Sequence, residues 1–134
     1  MNFFENIRSA ILSLPAVTAI VGEKTKARIW NSWQRTYATP CVIIEIDTEE
    51  EQNYLDTGKG DGIIAAVTLT CRADTHDVSD ALQTALRHGM AGYHGYFDLV
   101  INSTAHSEAE PGDGSTSHWY DHVLDCTAIW SEAA

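Results

Sequence analysis

The sequence is short of basic residues, of cysteine and of long apolar runs, and each shortage narrows what the chain can be. Only 8 lysines and arginines stand against 19 acids in 134 residues, a formal charge of −11. A chain that acidic repels phosphate, which argues against a sequence-reading or duplex-gripping DNA binder. Three cysteines, Cys41, Cys71 and Cys126, are an odd number with no CxxC among them. That pattern fits reduced thiols in a cytosol better than a disulfide framework. The longest apolar runs, such as Cys41-Val42-Ile43-Ile44, are a handful of residues, where a membrane span needs about 20. Residues 1–20 carry Glu5 and lack a basic start before an apolar stretch, so no secretory signal is expected.

Catalytic and nucleotide-binding signatures are missing as well. No GxGxxG opens a helix, no Gly-x-Ser-x-Gly elbow and no HExxH occurs, and Gly58-Lys59-Gly60 lacks the Ser/Thr that a phosphate loop places after its lysine. Gly58–Gly62 reads as a turn.

What remains is ordinary globular composition, 44% apolar and 20% charged, in a length that suits one domain over 1–134. The charge is uneven. Residues 1–35 carry Arg8, Lys24, Lys26, Arg28 and Arg35 against Glu5 and Glu23, a balance of +3, whereas residues 36–134 carry −14. The basic segment is either a solvated loop or a surface that meets the acidic face of another copy.

Phe4, Ile7, Ala10, Ile11 and Leu14 recur at helical spacing and predict an amphipathic helix. Pro15 opens a second short helix to Val21, and Gly22 is placed to end it in a left-handed conformation. Residues 23–40 form a polar loop with one extended piece, Arg28-Ile29-Trp30. From Cys41 the period drops to 2, giving a strand with Val42, Ile44 and Ile46 on one face. Thr48–Gln52 and the turn-rich Asp56–Gly62 follow, predicting a hairpin extension over about 47–62. The next strand sets Ile63, Ala65, Val67, Leu69 and Cys71 on one face. Asp74 or Thr75 caps a helix whose inward stripe reads Val78, Ala81, Leu82, Ala85, Leu86 and Gly89, ended by Gly89 and Gly92. Strands at Tyr96–Ser103 and Trp119–Trp130 complete the order α-α-β-β-α-β-β. This predicts an α+β fold: a single, largely antiparallel sheet of four to five strands with two main helices on one face.

Candidate sites are few. His118 and His122 lie four apart, a zinc spacing on a helix, with Cys126 on the same face. On a strand that spacing spans about 13 Å, too far for one ion. His88 and His94 flank a helix end, where a cation meets the dipole favourably. Asp47, Glu49, Glu50, Glu51, Asp56 and Asp61 lack calcium-loop spacing, which leaves a solvated hairpin tip or an interaction surface. Trp30 and Trp33, beside Arg28 and Arg35, suit an intersubunit anchor or fold back onto their own core.

These landmarks together resemble the small tail-completion, or tail-terminator, proteins of long-tailed bacteriophages. The resemblance rests on Ile7-Arg8-Ser9-Ala10-Ile11-Leu12, on Leu14-Pro15-Ala16-Val17-Thr18-Ala19-Ile20-Val21-Gly22, on Arg28-Ile29-Trp30, on Thr39-Pro40-Cys41-Val42-Ile43-Ile44, and on Ala66–Ala73 with the following helix. It covers residues 1–90. It implies a virion structural protein without catalysis or cofactor, monomeric or weakly associated in solution. On the head-proximal end of the tail tube it would form a ring, usually hexameric, that docks the head connector and lets genome DNA pass through its lumen. Arg28, Trp30, Trp33, Arg35, Glu49, Glu50, Glu51, Asp56 and Asp61 are the expected subunit and tube contacts. A head-completion adaptor of the connector, and a small metal-binding domain using His118, His122 and Cys126, are the alternatives.

Overall fold

A computed structural model describes residues 3–31, 38–53, 60–95, 97–109 and 119–131. Among these residues three α-helices and five strands follow one another as α1 (Phe3–Leu12), α2 (Pro15–Val21), β1 (Ile29–Asn31), β2 (Cys41–Asn53), β3 (Gly60–Ala73), α3 (His76–Met90), β4 (Asp98–Ala109) and β5 (Trp119–Ser131). The architecture is the α+β one that the periodicities predict. The strands form one sheet in the order β1-β2-β3-β5-β4, antiparallel throughout except for the short β1–β2 pair.

The helices cover one face of that sheet. Ile7, Ala10 and Ile11 of α1 and Val17 and Val21 of α2 join Val42, Ile44, Ala65, Val67, Leu69, Leu124 and Ala128 in a single apolar core. One end is closed by aromatic rings: Trp130 lies 4.3 Å from Phe3 and 5.1 Å from Phe97, which in turn meets Tyr93 at 4.8 Å. The first two helices bend by 99° at Ser13–Leu14, and no single helix among the described residues is long and apolar enough to cross a membrane.

Gly22 does end α2 with a positive φ of 99°, but its ψ of 171° is extended, not left-handed helical. That region is open essentially only to glycine. A Cβ there would also sit 3.1 Å from the Lys26 carbonyl oxygen.

Three boundaries differ from the sequence reading. First, α3 buries Ser79, Leu82, Gln83, Leu86 and Met90, while Val78 is 38% exposed, so its inward stripe is rotated by about one residue. Ser79 is tolerated inside because its hydroxyl donates to the Cys71 carbonyl at 2.7 Å. Second, Gly89 lies within α3 instead of ending it, where the helix passes close to Leu14. Third, β4 runs from Asp98 to Ala109, well beyond Ser103. All side chains from Asn102 to His106 are exposed, so no alternation marks this stretch as a strand.

Candidate functional site: the basic corner, the acidic arm and the open sheet face

The basic segment folds around Arg28. Its Nε donates to the Pro40 carbonyl at 2.8 Å and its Nη2 to the Ile20 carbonyl at 2.9 Å. The guanidinium therefore satisfies a terminal carbonyl of α2 and fixes the turn into β2. Two of its five N–H donors are engaged inside the subunit, so Arg28 acts first as a clamp within its own chain. Arg8 adds a bond from Nη2 to the Lys24 carbonyl, 3.2 Å. Lys24 and Lys26, by contrast, sit exposed on a 3-10 turn. They border an open groove lined by Gly22, Glu23, Lys24, Thr25, Lys26 and Arg28. Among the described residues of the basic segment, the exposed cationic side chains are thus Lys24 and Lys26, which the sequence reading counted in that segment without placing them among the expected contacts. The turn is closed by backbone bonds from Lys26 and Ala27 to the Glu23 and Lys24 carbonyls and by the Arg8 bond, none of which uses a lysine side chain.

Trp30 stands opposite Ile43 in the β1–β2 pair. It is half-buried, and its indole N–H has no hydrogen-bond partner among the described residues. Trp33, Arg35, Asp56 and His118 lie outside the described residues.

The acidic run is a strand, not a hairpin tip. Glu49, Glu50 and Glu51 of β2 pair with Ala65, Ile64 and Ile63 of β3, after a register shift between Ile46 and Thr48. Asp61 lies in the opposing arm of β3. Nor is that arm free of the body: β5 runs beside it as far as the Gly62–Ser131 pair. The acids therefore extend the sheet at its β2 side, where β1 pairs only with Val42–Ile44 and leaves Glu45–Asn53 without a strand on that edge among the described residues.

The face of the sheet opposite the helices is polar. Arg72 makes a bidentate pair with Asp121, 2.8 and 2.9 Å, and its guanidinium lies 4.5 Å from the Trp119 ring centroid. Asp125 accepts from Thr68 and Ser103 at 3.4 and 3.3 Å, and Asn102 donates to Thr127 at 2.8 Å.

Among the described residues no reactive constellation accompanies these surfaces. Burial, only partly offset by Arg72, pushes the Cys41 thiol up to about 12, and burial aided by Asp125 does the same for Cys126. Both are thus neutral thiols at physiological pH, poor as nucleophiles and as metal ligands. Cys126 Sγ points to the Leu124 carbonyl at 3.7 Å. Among the described residues no three His, Cys, Asp or Glu side chains are arranged to hold a metal ion. His94 is bonded to the Asp98 carboxylate.

No family model matches this chain, and no curated protein sequence does. Among solved structures, a chain of the structure described as "Virion of native gene transfer agent (GTA) particle" has the same fold. It superposes with a TM-score of 0.66 at 12% identity, covering 96% of this chain and 94% of that chain. The likeness runs essentially end to end in both, so neither has a large part that the other lacks.

Proposed function

We propose that the chain is a structural protein of a phage-like virion, and that within it the chain forms the tail-completion ring between tube and head connector. The observation that carries the reading is the near-complete fold likeness to a chain of a gene transfer agent virion. The independent resemblance of residues 1–90 to tail-terminator proteins points the same way. The chemistry of the surface supports a contact role. Its polar sheet face and the β2 and β4 edges, which no further strand covers among the described residues, offer area and hydrogen bonds.

In a closed ring each subunit presents two unlike patches. The exposed Lys24 and Lys26 corner and the acidic β2 arm supply opposite charge for such a head-to-tail contact, hexameric by the resemblance. Trp30, with Trp33 and Arg35 in the adjoining segment, adds apolar and cationic contact area. Acidic surfaces turned to the lumen let duplex DNA pass without a cationic anchor. The partners are then copies of the chain, the tube protein and the connector, at the head-proximal end of the tail.

Negative-stain imaging of the purified chain, alone and mixed with tail tubes, tests this. Rings, or tubes capped at one end, are the expected result. Binding to isolated connectors but not to tubes would move the assignment to a head-completion adaptor. Binding to neither would remove the ring reading.

A further inference from the structure

Three histidines distant in sequence meet where the start of α3 crosses β4 and β5. His122 of β5 is 6% exposed. The His76 ring, at the first residue of α3, lies 4.9 Å from it, and the His106 ring of β4 stacks against it at 5.6 Å. His76 and His106 are themselves 6.3 Å apart, and Tyr120 closes on His76 at 6.1 Å.

The protonation of His122 follows from its neighbours. Ser79 Oγ has one proton and two contacts of 2.7 Å, to the Cys71 carbonyl and to His122 Nδ1. A carbonyl only accepts, so the hydroxyl donates there and accepts in turn from Nδ1–H. The neutral ring thus carries its proton on Nδ1 and presents a bare Nε2, 3.8 Å from an Asp80 carboxylate oxygen.

What this cluster holds is the outer half of an edge strand. A register shift between Ile101 and Ser103 divides β4. Before it, Leu99 is buried, beside Phe97 just outside the strand. Beyond it every described side chain, from Asn102 to His106, is exposed. The outer half therefore has ladder bonds to β5, the Ser103–Asp125 bond and the His106 ring contacts, but no described buried apolar group.

We propose that His76, His106 and His122 form an acid-sensitive latch, closed when neutral, that fixes residues 103–109 of β4 and the start of α3 to β5. Adding protons here places like charges on rings whose centroids are 4.9 to 6.3 Å apart. The groups facing His122 are Asp80 and His76 from α3, His106 from β4 and Asp121 from its own strand, with Asp121 already paired to Arg72; His76 faces the exposed Asp77 at 4.0 Å as well. Burial lowers the affinity of His122 for a proton most. Asp80 opposes that, and charge on His76 and His106 reinforces it. The open state, with its imidazole near the ordinary 6.5, takes up the proton more readily than the closed one. Closure is therefore complete above that pH and is lost as pH falls below it.

Amide hydrogen exchange on the whole chain at pH 7.5 and 5.5, corrected for intrinsic rates, tests the latch. Protection of residues 103–109 is expected to fall several-fold more than that of residues 98–101, because the open state takes up the proton more readily than the closed one. In the His76→Gln/His106→Gln double variant, whose two sites are exposed, this differential loss should shrink by about three-fold or more. Nitrogen-15 shifts of the unmodified chain should report His122 as the Nδ1–H form at pH 7.5. Equal loss of protection in both halves of β4, an unchanged loss in the double variant, or an Nε2–H tautomer would overturn the proposal.

Discussion

Along β3, Ala65, Val67, Leu69 and Cys71 point under the helices and are at most 1% exposed, whereas Ala66, Thr68, Thr70 and Arg72, one residue along, face the other way and keep contact with water. On the first face cohesion comes from excluded water and close packing, so the loss on truncation scales with the cavity left. On the second, Arg72–Asp121 and Thr68–Asp125 exchange hydrogen bonds that water would otherwise make, so the net gain is small at Thr68 and larger only where a charge would lose its partner. A surface of the second kind can be covered or uncovered without disturbing the subunit, which suits a protein that acts through contacts with neighbours.

The largest effect expected on the helix side is Trp130→Ala. It removes the ring shared by Phe3 and Phe97 and should cost about 3–5 kcal/mol in denaturant unfolding. The sharpest contrast uses adjacent residues: Leu69→Ala should cost about 2–5 kcal/mol, and Thr68→Ala less than about 1 kcal/mol. Equal losses at the two sites would break the distinction between the faces. Asp121→Ala sits between these extremes. It leaves the half-buried Arg72 without its bidentate partner and should cost about 1.5–3 kcal/mol.

The thiols give a pH test. Cys41 and Cys126 move from their ordinary 9.0 up to about 12, and the fully buried Cys71 is raised further. The unfolded chain therefore ionises first. Stability from this source is complete below pH 9 and falls as pH rises from there toward 12, as alkaline unfolding curves would report. Smallest in stability is Lys24→Glu/Lys26→Glu, both on the exposed turn, which should change unfolding by no more than about 0.5 kcal/mol. Sedimentation or imaging should nonetheless find ring formation or tube capping reduced, because the change reverses the charge of one patch.

The inner face of β3 was legible because alternation is strict where one side is buried and the other wet. α1 was legible for the corresponding helical reason. The outer half of β4 was not: with every described side chain exposed, a polar strand and a polar loop have the same composition. The stripe of α3 was misread because Ser79 and Gln83 are polar yet buried, and Ser79 is admitted only by a carbonyl from another element. Among the site residues, the Glu49–Glu51 run looked like a tip because acids seldom occupy ladders. Its pairing with Ala65–Ile63 depends on a partner strand more than ten residues away.

Composition and periodicity by themselves determined the α+β class, the charge division and the absence of recognisable catalytic motifs, because these depend on local spacing and on sums over the chain. The tertiary structure alone decided that Arg28 turns inward to two carbonyls while Lys24 and Lys26 stay free in water. It also decided that His76, His106 and His122, spread over 47 residues, share one packed corner. Both depend on which backbone atoms and rings long-range pairing brings within a few ångströms, and no short window of sequence carries that distance.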